Sequence, residues 1–428
     1  MKDLLNRNHN NWRDSFVRVV SLCCWVATIE LSAAPLRYEE LPDLIKKKNG
    51  AVGAARLTVE ASRLRTGHIG RSFLPHLDVL GGAEHFRTGP YPTDTQPYGG
   101  VELFVNIYRG GQDSLEDSHR QAQLTGAEAE KEKSLREELA HSRSLYWDLV
   151  YERELLTVLN EMSRKNVEGA KAASRRRVRG LVSGTDELAF DLSGHQLKEQ
   201  IESSQHEIEL IELALRPRLE WQENEKIETP ATVPHDHDES LLAVKADGAN
   251  HPEPRALLAK ADSASALASQ QGRWWLPSID VYGTYQLYTL RERFYPNLED
   301  RFDWSVGLRL KMHLFEGAQQ VREAESGHRS AQAIQTLAEY RKRALATDIR
   351  LAQEEMRHIH ELIHGAELTN DKGKKLLTQS LSEYDRGVRT TSDMLDMYDR
   401  VLLFQKTYLE RRREYQKTKV KLLSLLGE

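Results

Sequence analysis

The chain states one pattern twice. GRSFLPHLDVLGG at 70–82 returns as GRWWLPSIDVYGT at 272–284. Gly70, Arg71, Leu74, Pro75, Asp78, Val79 and Gly81 recur as Gly272, Arg273, Leu276, Pro277, Asp280, Val281 and Gly283, each 202 positions later. Tyr108, Gly110 and Gln112 then reappear as Phe315, Gly317 and Gln319, now 207 positions on, and the same offset carries Arg179, Gly180, Asp186 and Leu188 to Arg386, Gly387, Asp393 and Leu395. A unit of about 200 residues is far longer than a solenoid repeat, so the pattern predicts two structural halves rather than an array. The five extra positions fall between the two blocks, where a surface loop tolerates insertion.

Composition narrows what each half can be. With 29% charged residues and a mean hydropathy of −0.61, the chain has little apolar material for a thick core. Long helices packed along seams suit it better. A net charge of −5 leaves no nucleic-acid footprint.

The first 34 residues differ from the rest. Lys2, Arg7, Arg13 and Arg18 precede an apolar run from Val19 to Ile29, and Ser32-Ala33-Ala34 supplies small residues where a signal peptidase cuts. This predicts a secretory signal peptide over 1–34, from a run too short to span a membrane comfortably; the other reading is a buried N-terminal helix. Both cysteines, Cys23 and Cys24, lie inside the run, and Leu22 stands where a lipoprotein signal needs a small residue. The mature chain is therefore expected to carry no disulfide, in keeping with a bacterial envelope protein.

Beyond Pro42, a helix is expected over about 43–69. Period-two alternation follows. Ile279, Val281, Gly283, Tyr285 and Leu287 alternate with polar neighbours, as do Trp304, Val306, Leu308, Leu310 and Met312; the first copy offers Val101, Leu103, Val105 and Ile107. Each such run is a strand with one apolar face. Alternation is poor around Gly81 and Gly82, and polar loops at 88–98 and 291–303 join the pairs. Proline-free tracts predict helices over about 113–178 and 318–385, each roughly 100 Å long at 1.5 Å per residue. Each breaks at a glycine turn, RGLVSGTD at 179–186 and RGVRTTSD at 386–393, and returns as a shorter helix. In the last helix Met394, Val401, Tyr408, Tyr415 and Leu422 fall seven apart, a seam that wants a partner helix. The domain order is thus 1–34 signal peptide, 35–221 first repeat, 222–254 linker and 255–428 second repeat, the linker being rich in charge, Pro and Ala and expected to be loop or disorder.

Four strands of about ten residues match the length of tilted membrane β-structure. Four cannot close a barrel, which needs about eight, and lipid does not tolerate open edges. Strands that span a membrane must therefore be pooled from several copies; a small amphipathic sheet packed on helices is the soluble alternative. Trp274, Trp275, Tyr295 and Trp304 near the strand ends favour the membrane.

This order of helix, strand pair ending in a Gly-Gly-Gln-like turn and long helical hairpin, given twice, resembles the TolC-like outer-membrane efflux and secretion channel family. The sharpest local match is YDRGVRTTSDMLDMY at 384–398, similar to the family's motif at the periplasmic end of the second hairpin. The resemblance implies a mainly α fold with a small β part, in a homotrimer. Its twelve pooled strands form one barrel in outer-membrane lipid, continued by an α-helical barrel across the periplasm. It implies a passive export duct of a tripartite efflux or type I secretion system, served by a periplasmic adaptor and an inner-membrane transporter. No catalysis, cofactor, metal or nucleic acid is expected. The alternative is a non-pore envelope coiled-coil protein.

Differences between the copies mark candidate functional residues. Asp186 and Asp393 both follow a hydroxyl residue by three positions, as helix N-caps do. Tyr384, Arg389 and Asp396 instead face Arg177, Val182 and Ala189 in the first copy, so neither capping nor seam packing demands them. Asp393 and Asp396 share a helix face, and in a trimer would make rings of carboxylates that attract cations. The resemblance assigns these two to the periplasmic constriction, and Tyr384 and Arg389 to the links that keep it closed. The turns Arg179-Gly180-Leu181 and Arg386-Gly387-Val388 are expected to dock the adaptor, since an apolar residue at an exposed tip needs a partner. His360-Glu361-Leu362-Ile363-His364 spells HExxH, but Glu367 and Asn370 break the extended zinc-protease pattern. It is read as a chance match, and HDHD at 235–238 as solvated linker.

Overall fold

Helices carry most of the length of the computed structural model, which describes residues 36–86, 94–221, 227, 229–235, 238–245, 247–288, 302–315 and 317–427. The proposed signal peptide and most of both inter-strand loops lie outside the described residues. The elements are α1 (Leu41–Lys48), α2 (Gly50–Arg65), α3 (His68–Ser72), β1 (His76–Phe86), β2 (Asp94–Arg109), α4 (Gln112–Val178), α5 (Gly184–Leu219), α6 (Glu239–Ala243), α7 (Pro252–Gly272), β3 (Ser278–Tyr288), β4 (Phe302–Lys311), α8 (Gln319–Asp385) and α9 (Thr391–Leu426). Among the described residues no helix is long and apolar enough to cross a membrane.

The single helix expected over 43–69 is three. Asn49 is extended (ψ 124°) and its side-chain oxygen accepts from the Ala51 and Val52 amides at 2.9 and 3.2 Å. That N-cap starts a new helix. Its amide nitrogen donates to Glu138 and to the Arg218 carbonyl, both at 3.1 Å, so the break is fastened to the first hairpin.

The four strands form one antiparallel sheet in the order β1-β2-β3-β4. Register sets like beside like. Val79, Val101, Tyr285 and Trp304 form one row across all four strands, and Leu77, Leu103, Gly283 and Val306 another. Asp78, Glu102, Thr284 and Ser305 form a row between them, hence on the opposite face. There the Thr284 and Ser305 hydroxyls meet at 2.7 Å.

Strand limits depart from expectation in three places. β1 runs straight through Gly81 and Gly82, because the ring of the cross-strand partner Tyr98 covers Gly82; a Cβ there would lie 2.8 Å from the tyrosine oxygen. Tyr282 covers Gly307 in the same way between β3 and β4. β2 starts at Asp94, inside the stretch expected to be loop. Over Asp94–Pro97 its described partner is β1, and the described pairing with β3 begins at Tyr98. β4 ends at Lys311, so Met312 and His313 lie beyond it.

The helices α4 and α8 are each 67 residues long, and α5 and α9 each 36. At 1.5 Å per residue the long pair reaches about 100 Å. α4 packs on α5, α8 on α9, and α9 also on α4, while α7 lies against both long helices. Met394, Val401, Tyr415 and Leu422 are buried along α9 and Tyr408 partly so, which makes the seven-residue spacing a packing seam.

The described part of the linker is mostly irregular backbone with many exposed side chains, yet it is fastened to the helices at several points. Ile227, Val233 and Leu241 are buried. Val233 donates its amide to Glu154 of α4 at 2.8 Å, Gln416 of α9 donates to the Pro234 carbonyl at 2.7 Å, and Gln353 of α8 donates to the carbonyls of Leu241 and Val244 at 3.2 and 2.9 Å. Charge and proline content masked three apolar anchors, which pack this short strap against the hairpins.

Candidate gate at the hairpin tips

Each hairpin turns on a glycine. Gly180 and Gly387 have φ of 72° and 84°, a conformation that costs other residues energy. In the first turn Leu181 and Gly180 donate amides to the Arg176 and Arg177 carbonyls at 3.0 and 2.8 Å; in the second Val388 and Gly387 donate to Glu383 and Tyr384, both at 2.9 Å. This paired arrangement satisfies the last helix carbonyls. It leaves Leu181 62% and Val388 72% exposed, beside exposed Arg179 and Arg386.

The returning helices start on reciprocal caps. Asp186 accepts the Ser183 amide at 2.9 Å, and Asp393 accepts the Thr390 amide at 3.2 Å while its own amide donates back to the Thr390 hydroxyl at 3.2 Å. Both carboxyls titrate below the usual range. For Asp393 the hydrogen bond from the Thr390 hydroxyl is the main cause; for Asp186 it is one from Thr391, on the other hairpin. Asp396 lies one turn further along α9, exposed, with Asp399 near enough that its charge adds to the burial raising Asp399.

Tyr384 and Arg389 are drawn together, but around a residue the sequence reading passed over. Tyr384 is fully buried and its hydroxyl lies 3.1 Å from that of Thr391. Above its ring, 4.7 Å from the centroid, sits the guanidinium of Arg176 from the first hairpin. One Arg176 nitrogen donates to the carbonyls of Tyr384 and Arg389 at 3.2 and 3.3 Å. Arg389 donates in turn to Glu383 at 2.7 Å, which holds that carboxyl below its ordinary range. Arg175 pairs with Asp385 at 3.1 Å, and the Tyr398 hydroxyl donates to the Lys165 carbonyl at 2.8 Å. The signal for Arg176 was present: its counterpart in the second copy is Glu383, a reversal of charge at equivalent positions.

The HExxH segment lies on α8. His360 is half-buried against His235 of the strap, while Glu361 and His364 are exposed. Among the described residues no group of three His, Cys, Asp or Glu is arranged to hold a metal ion.

Residues 247–428 match the model of the outer membrane efflux protein family. By sequence the likeness covers that second half of the chain. For the whole described chain the fold carries the same likeness. The Campylobacter jejuni CmeC outer membrane channel is similar with a TM-score of 0.78 at 15% identity, over 91% of this chain and 85% of that one. The Vibrio cholerae outer membrane protein VceC gives 0.76 at 13%, over 91% and 96%. The open-state MtrE outer membrane channel of Neisseria gonorrhoeae gives 0.73 at 15%, over 91% and 89%. At such identities the likeness speaks for the fold, which is TolC-like. No curated protein matches the chain by sequence. The matched family is that of outer membrane efflux proteins, and the similar solved structures are themselves outer membrane proteins.

Proposed function

We propose that three copies of this chain form a closed export duct, with a twelve-stranded barrel in the outer membrane and an α-helical barrel below it. The observation that carries this reading is the sheet. Its edge strands β1 and β4 lack partners among the described residues, and the row Val79, Val101, Tyr285 and Trp304 is exposed across its whole width, by 82, 36, 49 and 74%. Open edges are not stable in lipid and four strands close nothing. Pairing β1 of one copy with β4 of the next removes every edge and turns the apolar rows to the acyl chains. The two halves, 35–221 and 255–428 joined by the 222–254 linker, then supply hairpins of equal reach.

The tips form the gate in this reading. Asp393 and Asp396 of each copy line the constriction and favour cations. Arg176, Tyr384 and Arg389 tie the two hairpins of one copy together and keep it narrow. The turns at Leu181 and Val388 dock a periplasmic adaptor, which joins the duct to an inner-membrane transporter in a tripartite efflux or type I secretion assembly. Energy comes from the transporter; the duct performs no covalent chemistry.

Planar-bilayer recording of the purified full chain tests the duct and its gate together. Discrete channels are expected, with altered cation preference in D393A/D396A and extra leak in R389A. Unchanged conductance and selectivity in both variants would remove these residues from the gate; no channels at all would remove the duct. Crosslinking from Leu181→Cys or Val388→Cys to a co-expressed adaptor tests the docking turns.

A further inference from the structure

The two turns that end the hairpins carry the same cation. Arg179 and Arg386 are equivalent by the 207-residue offset, each stands directly before the turn glycine, and each is exposed. Around them the other charges of the tips are engaged. Arg175 pairs with Asp385 at 3.1 Å, Arg177 with Glu187, and Arg389 with Glu383 at 2.7 Å. Arg176 is held by the Tyr384 ring and two carbonyls. Asp186 and Asp393 cap the returning helices.

The turn arginines stand outside this network. The Arg179 guanidinium has no hydrogen bond or ion pair among the described residues. Arg386 donates to the Ser382 carbonyl of its own helix at 3.2 Å, and its charge is the smallest influence on Glu383, which Arg389 already holds. Asp396 lies in the second turn of α9 and forms no ion pair with either arginine. The two tips differ at nearby equivalent positions, where Arg177, Val182 and Ala189 correspond to Tyr384, Arg389 and Asp396. Both nevertheless keep an arginine that the fold does not employ. Exposed apolar side chains flank the pair: Val178 and Leu181 beside Arg179, and Val388 beside Arg386.

We propose that each turn docks a protein surface on which Asp or Glu side chains flank an apolar residue. The carboxylates pair with Arg179 and Arg386, and the apolar residue covers Leu181 and Val388. This rests on the reading that the turns meet an adaptor, and names the chemistry that adaptor presents to them.

Charge complementarity selects this partner. A guanidinium offers five donors in a planar fork that matches a carboxylate. Apolar contact at the neighbouring residue excludes water and strengthens the pair. A second copy of this chain is the poorer partner, because its tip carboxylates Asp186, Glu187, Glu383, Asp385 and Asp393 are already engaged. The turns are also the last residues of hairpins about 100 Å long, so they meet what lies beyond the chain's own end.

Photo-crosslinking from p-benzoylphenylalanine placed at Leu181 or at Val388 tests this, in cells that co-express the full chain and a periplasmic adaptor. Yields are compared at equal amounts of heat-modifiable channel. The adaptor peptide mapped by mass spectrometry is expected to carry Asp or Glu. Its yield should fall about tenfold or more in R179E/R386E, and recover when the mapped adaptor carboxylates are changed to lysine. An adaptor peptide without Asp or Glu, or an undiminished yield in R179E/R386E, would overturn the proposal and leave the docking reading standing. A loss that the reversed adaptor charges do not recover would overturn it too. Adducts formed only with lipid or with a second copy of this chain, or none from either turn, would remove the docking reading itself and this proposal with it.

Discussion

The guanidinium of Arg176 stands 4.7 Å over the ring of Tyr384 on the opposite hairpin and donates to that tyrosine's own carbonyl at 3.2 Å. A buried arginine is thus held by a π-face and two carbonyls rather than by a carboxylate. It joins the last turn of α4 to the last turn of α8 and the turn beyond it. Removing the side chain leaves the carbonyls of Tyr384 and Arg389 without that donor. Arg176→Met keeps most of the packing and loses the hydrogen bonds, which are worth about 1–3 kcal/mol when the donor is charged. Faster amide exchange at 384–390 and a raised closed-state leak are expected in R176M, and Arg176→Lys should recover part of each.

The Arg389–Glu383 pair predicts acid sensitivity at the tip. Arg389 keeps the Glu383 carboxyl below its ordinary value. A carboxyl depressed in the folded state stabilises it fully above the unfolded value, about 4.3, and that contribution is lost as pH falls through the folded value. Leak through the closed channel should therefore rise below about pH 4. Glu383→Gln should leak more already at neutral pH and lose part of the acid response, measured as conductance against pH.

Ala318 has φ of 59°, at the junction where the first copy has Gly111 at 71°. A left-handed alanine costs about 1–2 kcal/mol. Ala318→Gly should therefore raise stability by about 1 kcal/mol, less the extra entropy of the unfolded glycine. Gly111→Ala should lower it, because a Cβ there would also press on the Arg273 guanidinium, which would have to move. Denaturant midpoints of the two variants check the opposite signs.

Period and punctuation made much of this fold legible in the sequence. The bounds of α4 and α8 came from proline-free tracts ending in glycine, and the α9 seam from a strict seven-residue spacing. The β1 path through Gly81 and Gly82 did not show, because what supports those glycines is a tyrosine on another strand. Asn49 was missed because a capping side chain inside a helical pattern leaves the composition unchanged. The anchoring of the strap did not show, because three buried apolar residues are sparse in a charged segment. At the tips, comparing the copies raised Tyr384 and Arg389 but not Arg176, whose part depends on the two hairpins lying side by side.

The faces of the sheet predict an asymmetry between neighbours. Trp304 is 74% exposed in the apolar row, whereas Ser305 shares the polar face with Thr284. An arginine facing lipid costs about 2–4 kcal/mol at mid-membrane. Trp304→Arg should sharply reduce membrane-assembled protein, and Ser305→Arg should leave most of it, as judged by heat-modifiable migration of extracted outer membranes.

The central claim is that β1 of one copy meets β4 of the next. Within one copy these strands lie at opposite edges of the sheet, about 14 Å apart at three inter-strand spacings, too far for a direct disulfide. Cysteines at Leu77 and Leu308, in a C23S/C24S background and oxidised in the membrane, therefore report contact between copies. The account predicts covalent dimers and trimers and a ladder that stops at three. A chain that stays monomeric with cysteines placed along both edges, or a ladder that runs past three, would contradict it.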